Sequence, residues 1–374
     1  MQNRTKTSLA VALSLAAFSA SSANIVADGR GNGMGNTGVT SADFLLAPFY
    51  NPALVAVHRE EDDFGLLLPS IGVTAKDTDE TLTQIEDLQD AIDSNQGSVN
   101  DAEVDRLLNE IKGNSPVAVT AGAGVAVAFP IKALSANLFT RGYAEVIAVP
   151  DVDTSGNTSA ENVAASEVHM AAFGYSEFGL ALAKRVTLGG HDVSFGITPK
   201  YQKLMTYQES ANINDFDIED YDQSEVSKSA FNVDLGAVWM LDHYRVGIAI
   251  KDLFAQEVKT FDGSDTYNLD TQVTLSGAYT MEFFTATVDW DMTKQERFAQ
   301  LADDTQFLRF GVEGNAWGWG QLRAGYEMDL EDTLDDSITA GIGISPGDLV
   351  SLDIAASYAG DNQFGVGGNL AFTF

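Results

Sequence analysis

From residue 64 to the end of the chain, apolar and polar side chains alternate in short runs separated by turns. Leu352, Ile354, Ala356 and Tyr358 fall on one side of a strand, with Ser351, Asp353, Ala355 and Ser357 on the other. Leu322, Ala324, Tyr326 and Met328 oppose Arg323, Gly325, Glu327 and Asp329, and Ala286, Val288, Trp290 and Met292 oppose Thr285, Thr287, Asp289 and Asp291. Such alternation is what a sheet with two chemically different faces requires. Runs of this kind cover 64–73, 117–129, 135–149, 167–186, 191–206, 227–241 and 244–254. They continue over 268–281, 283–292, 305–316, 321–330, 337–344, 349–359 and 363–374. The pattern predicts about 14 strands joined by tight turns at one rim and long loops at the other, an all-β, transmembrane, antiparallel up-and-down barrel. A soluble β-sandwich would also alternate, but it would not separate its connections into two lengths.

Two segments break the pattern. Residues 77–113 show helical spacing, with Ile85, Leu88 and Ile92, then Val104, Leu107, Leu108 and Ile111. Asn100 followed by Glu103 predicts a capping box for the second helix. Strand parity puts this helical insertion in the first long loop, either as a cover over the barrel mouth or as a solvated decoration. Residues 24–61 precede the first strand and have no strand pattern, so they are expected in the periplasm or inside the barrel.

The chain ends change the picture further. Residues 1–23 read as a secretory signal peptide: Arg4 and Lys6 precede a short apolar stretch, and Ser21-Ser22-Ala23 suits cleavage. That stretch is shorter than the roughly 20 residues a membrane-spanning helix needs. At the other end Leu370, Phe372 and Phe374 share one face of a strand that stops on an aromatic. This ending resembles the signal that the barrel-assembly machinery reads, with Phe372 and Phe374 as its residues. Signal peptide, strand pattern and terminal Phe together place the chain in the outer membrane of a Gram-negative bacterium, among outer-membrane lipid and lipopolysaccharide.

Charge and cysteine content narrow the chemistry. The chain carries 54 acidic and 21 basic residues, a net charge of −33, which repels phosphate backbones and excludes nucleic acid as a partner. With no cysteine, disulfides, thiolate metal sites and thiol redox chemistry are excluded. Of the histidines, His191 and His243 fall at predicted short turns, and only His169 could serve a hydrolase at the outer rim. No Gly-x-Ser-x-Gly element supports it, so an enzyme is not expected. Gly33, Gly35 and Gly38 match a dinucleotide fingerprint in form, but they follow no strand and open no helix, so no cofactor is expected. The acidic stretch 209–225 is either a surface loop or an oxygen-rich divalent-cation site without EF-hand spacing. Arg245, Lys251, Asp289, Arg309, Glu313, Arg323, Glu327 and Asp353 fall on the predicted lumen face. They form either a wall of salt bridges or a polar path. Pro199 interrupts a strand, marking either a lateral opening or a rim position.

The stretch Gly29-Arg-Gly-Asn-Gly-Met-Gly-Asn-Thr-Gly38, the later Ala47-Pro-Phe-Tyr-Asn-Pro-Ala-Leu54 and the Asp63-Phe-Gly-Leu-Leu-Leu-Pro69 strand carry a resemblance. They resemble the N-terminal plug and first strand of the FadL-type long-chain fatty acid transporters. They are most similar to the branch labelled conjugal transfer TraF-like proteins. The resemblance implies three parts: 1–23 as signal peptide, 24–61 as N-terminal plug, and 62–374 as the barrel with an insertion at about 77–113. It also implies that Gly33, Gly35, Gly38, Asn51, Pro52 and Ala53 shape the plug. Passage of a small hydrophobic compound is then the expected function. The alternative is a non-transporting surface or conjugal-transfer-associated component. The helical insertion departs from the transporters, whose insertions lie in later loops.

Overall fold

The computed structural model describes residues 27–94, 101–216, 224–299, 301, 303–360 and 362–374. The expected signal peptide, the capping Asn100 and the centre of the acidic stretch lie outside them.

Fourteen antiparallel strands close into a barrel. In chain order its wall is β1 (Gly65–Lys76), β2 (Val117–Phe129), β3 (Ser135–Asp151), β4 (Glu167–Leu188), β5 (His191–Asn212), β6 (Val226–Leu241) and β7 (Tyr244–Lys251). After an excursion through β8 (Gln256–Lys259) and β9 (Thr266–Leu269), it continues with β10 (Gln272–Met281), β11 (Phe284–Asp291) and β12 (Phe307–Ala316). β13 (Gly320–Asp329), β14 (Ser337–Ile344), β15 (Val350–Gly360) and β16 (Gln363–Thr373) complete it. Neighbours in sequence pair throughout, and β16 returns to β1 with Leu66 opposite Phe372. Closure leaves no wall strand with an unpaired edge, which is what a lipid-facing sheet needs.

Alternation sorts the two faces. Leu322, Ile338, Ile342, Ile354, Phe364 and Val366 stand exposed on the outside, while Thr285, Thr287, Asp289, Arg309 and Asp353 are buried within. The apolar outer face and the polar inner face follow from one period-two sequence.

Three expectations need correction. The stretch after β7 is not an open loop: β8 and β9 form a hairpin, and the next wall strand starts at Gln272 rather than 268. Its Val258, Tyr267 and Leu269 are buried against inward-facing Tyr143, Phe173, Tyr175 and Leu204. The helical insertion, α3 (Thr81–Ser94) and α4 (Asp101–Ile111), neither covers the mouth nor stands free in solvent. Its Ile85, Leu88, Val104, Leu107, Leu108 and Ile111 pack with Val117, Ala148 and Val168. Those three lie on the outward side of the strands, one step from inward Ile147, so the helices clad the outside of the wall. Pro199 is not at a rim either. It pairs with Val233 on β6, inside β5, while the ladder to β4 runs from Gly179↔Lys200 to Leu182↔Ile197 and skips it. A proline has no N–H to give to the β4 side.

Before β1, α1 (Gly29–Asn32), α2 (Ala47–Tyr50) and a 3₁₀ turn at Pro52–Ala56 lie against the inner wall. A further short helix, α5 (Ser159–Ala165), sits within a long loop that the sequence pattern left irregular.

Candidate functional site

The candidate site is the inner face of the barrel with the N-terminal segment 27–57 seated on it. The wall offers fixed acceptors where the segment has backbone donors. Gly38 and Val39 donate to Asp289 Oδ2 at 2.8 and 3.0 Å, and Gly29 donates to Asn369 Oδ1 at 2.8 Å. Gly35 donates to Thr339 Oγ1 at 2.8 Å. Wall donors answer segment carbonyls: Arg245 Nη1 reaches Thr40 O at 3.1 Å, Asn137 reaches Phe44 O and Leu45 O at 3.0 Å, and Lys251 reaches Phe49 O. An irregular backbone inside a membrane barrel is tolerated because each of these groups finds such a partner.

Two glycines are demanded by close approach. Gly35 has φ +66°, and a Cβ there would stand 2.7 Å from the Phe310 carbonyl oxygen. At Gly38 a Cβ would stand 2.3 Å from the Tyr50 ring. Asn51, fully buried, accepts from Ala53 N–H at 3.0 Å and donates to Val39 O at 2.9 Å, so its side chain ties the 3₁₀ turn to the preceding loop. Pro52 packs against Gly196 of β5. Ala53 O accepts from Ser194 Oγ at 2.6 Å.

Charges link segment and wall. Arg30 pairs with Glu313 through two hydrogen bonds of 3.0 and 2.9 Å, Glu313 also takes Arg323, and Arg323 reaches Asp353 at 2.6 Å. Arg309 joins Asp291 and Glu327 at 2.9 and 2.7 Å, and Glu327 accepts from Asn36 at 3.0 Å. Asp28 caps α1 by accepting from Arg30 and Gly31 N–H and also accepts from the Tyr50 hydroxyl. Burial pushes its carboxyl up to about 6, against the opposing pull of those hydrogen bonds.

All of the lumen residues singled out in the sequence lie on this inner face, and the structure joins them into chains with the segment. Sequence reasoning missed a second group on β3 to β7. Lys200 Nζ lies 2.8 Å from both Asp234 Oδ1 and Asp252 Oδ1 and 3.4 Å from Glu177 Oε2, and Arg141 also pairs with Glu177. Arg141, Glu177 and Lys200 each occupy alternate positions in their strands, a signal present in the sequence. Asp252 has φ +51° just past β7 and carries no such signal.

The remaining candidates lie elsewhere. Phe372 and Phe374 sit at the rim near residue 64, where Phe374 N–H donates to Phe64 O at 2.8 Å. His169 Nδ1 meets Ser210 Oγ at 2.8 Å and Nε2 lies 3.8 Å from Asp151 Oδ2. That trio has a triad's composition but not its geometry: the acid is too far for a hydrogen bond, and all three side chains are exposed. Among the described residues no cluster of metal-ligating side chains occurs, and Asp215 is the first residue of the acidic stretch's core that is described.

The toluene transporter TbuX of Ralstonia pickettii superposes with a TM-score of 0.55 at 13% identity, over 94% of this chain and 99% of that one. The CymD monoaromatic hydrocarbon channel gives 0.57 at 10% identity, over 94% and 98%. A Pseudomonas aeruginosa FadL homologue gives 0.51 at 12%, over 93% and 98%. At such identities the likeness is one of fold. No curated protein matches the sequence. Residues 48–291 match the family described as "F plasmid transfer operon, TraF, protein", from α2 through β11, and the chain belongs to that family.

Proposed function

We propose that this chain is an outer-membrane channel for a small hydrophobic compound, held closed by residues 24–61 acting as a plug. The observation that carries the reading is the seating of segment 27–57 on the lumen wall through Asp289, Asn369, Thr339 and the Arg30–Glu313 pair. Apart from its covalent join to β1, the segment is held to the wall by noncovalent contacts alone, so it is a displaceable obstruction. The exposed apolar outer belt fits a lipid environment, and the hydrocarbon channels that share the fold supply the cargo class. Gly33, Gly35, Gly38, Asn51, Pro52 and Ala53 act here as shape residues of the plug rather than as ligand contacts. Phe372 and Phe374 act as the assembly signal.

The second reading is a closed, non-transporting component linked to conjugal transfer, which the family description favours. Planar-bilayer recording separates the two. Deleting residues 24–61 is expected to raise single-channel conductance from near zero to a porin-like level, and cells carrying the intact chain are expected to take up toluene, but not glucose, faster than cells lacking it. A deletion variant that folds yet stays closed would sink the plug. Toluene uptake no faster with the intact chain than without it would favour the transfer-associated reading.

A further inference from the structure

Every pair of neighbouring wall strands is joined by a connecting segment except β1 and β16, which the ladder alone holds together. That seam is interrupted. Leu67 pairs with Ala371 and Ser70 with Asn369, so Leu68 and Pro69 together face one residue, Leu370, and the same two face Val125 alone on β2. Such a bulge breaks the ladder locally, and Pro69 has no N–H to give to it. Beyond the bulge the lumen side of the seam carries few side chains: Gly72 lies opposite Gly367, and Thr74 opposite Gly365. Cross-strand side-chain pairs strengthen a sheet, and glycine inside a strand weakens it. The joint without a covalent link thus has little support of its own on its inner face.

The N-terminal segment lies where that support is missing. α1 crosses the seam, against β14, β15 and β16 on one side and β1 on the other. Beside the bulge, Gly29 N–H donates to Asn369 Oδ1 at 2.8 Å, and Asn369 Nδ2 donates to Asp353 Oδ2 at 3.0 Å. The approach is close enough to exclude side chains. A Cβ on Gly29 would stand 2.4 Å from Asp353 O, one on Gly367 2.4 Å from Asn32 Oδ1, and one on Gly72 3.1 Å from Ala27 Cβ. Asn32 and Ala27 therefore fill the places that β16 and β1 leave empty. From this we infer that α1 is a clasp that holds the barrel closed along the β1–β16 seam, a function separate from obstructing the lumen. The Arg30–Glu313 pair anchors the clasp on β12, well to one side of the seam. The clasp rests on how the segment is seated and not on what the channel carries.

Hydrogen exchange of the full chain in detergent, read by mass spectrometry, tests the clasp. Gly29→Val adds carbons that collide with the Asp353 carbonyl and lifts α1 from the wall. Amide exchange in β1 and β16 is then expected to speed up about tenfold, with β4 and β5 unchanged. The chain has no cysteine, so a disulfide can stand in for the clasp. Val73→Cys with Val366→Cys, a cross-strand pair on the outer face of the seam, is expected to restore slow exchange in the Gly29→Val background. Val288→Cys with Phe310→Cys, the same kind of pair between β11 and β12, is expected to leave it fast. Unchanged exchange in Gly29→Val, an equal rise in β4 and β5, restoration by both disulfides or restoration by neither would overturn the inference. If Gly29→Val yields no heat-modifiable barrel, recovery decides: barrel regained with the seam disulfide alone supports the clasp, and any other result overturns it. Conductance reports the plug and seam exchange reports the clasp, so either reading can fail without the other.

Discussion

Lys200 carries an ammonium group to a position with no solvent exposure and holds it between Asp234, Asp252 and Glu177. Removing one member of a buried ionic group strands the others, so Lys200→Met is expected to destabilise the barrel by ~3–5 kcal/mol. Lys203, three residues on, pairs with Glu225 at 3.0 Å on the exposed face, and Lys203→Met should cost under ~1 kcal/mol. Urea unfolding of both variants in detergent measures the contrast, and similar midpoints would mean that the Lys200 cluster is not dry. Asp28 offers a second test. Its carboxyl is raised by burial to about 6 in the docked segment, against ~3.9 when free. A raised acid favours docking below the free value and loses that advantage as pH climbs through the docked one. Protection of residues 27–57 from protease should therefore increase between pH 7 and pH 5. Asp28→Asn should flatten that change; an unaltered pH profile would assign it to another group.

At the scale of elements, the apolar stripes of α3 and α4 satisfy themselves on the outer face of β2 to β4, while the β8–β9 hairpin turns its apolar residues inward. The helices were readable from their spacing, but not the surface they would choose, because both faces of the extended strands offer apolar residues there. The hairpin was missed for a different reason. Four-residue strands around Asp262-Gly-Ser-Asp265 give too short a run for alternation to register. The last strand is set by its own end. Phe374 closes the seam by donating to Phe64 O, and its carbonyl accepts from Asp63 and Phe64 N–H at 2.7 and 3.0 Å. Deleting Phe374 should therefore cut the yield of heat-modifiable barrel in outer-membrane fractions severalfold while export continues. Wild-type yield from the truncated chain would remove both the seam and the assembly signal from consideration.

Across the whole molecule, two parts of the chain pack into the lumen. The N-terminal segment packs against β4, β5 and β6 and against β14 to β16, and the hairpin packs higher, against the aromatic rings of β3 and β4. Hydrogen bonds and ion pairs tie the first to the wall, and Phe44, Leu45, Phe49 and Leu54 pack on apolar wall residues such as Leu67, Phe139 and Val238. Ring stacking of Tyr267 on Phe173 and backbone hydrogen bonds to residues 297–299 hold the second.

The alternation from residue 64 onward, together with its two lengths of connection and the chain's two ends, pointed to a barrel of about 14 strands and to the charges on its inner face. A strand's period of two leaves no freedom once one face meets lipid. The sequence around Gly29–Leu54 likewise sufficed to mark the N-terminal segment as unlike a strand and like a known family's. Partnership was decided only by the tertiary structure. Arg30 and Glu313 are 283 residues apart, and Tyr267 meets Phe173 from a hairpin with no pattern of its own. Closing the barrel brings the inward side of every strand to one narrow lumen, so contacts there depend on register and shear around the whole ring. No local window of sequence carries that information.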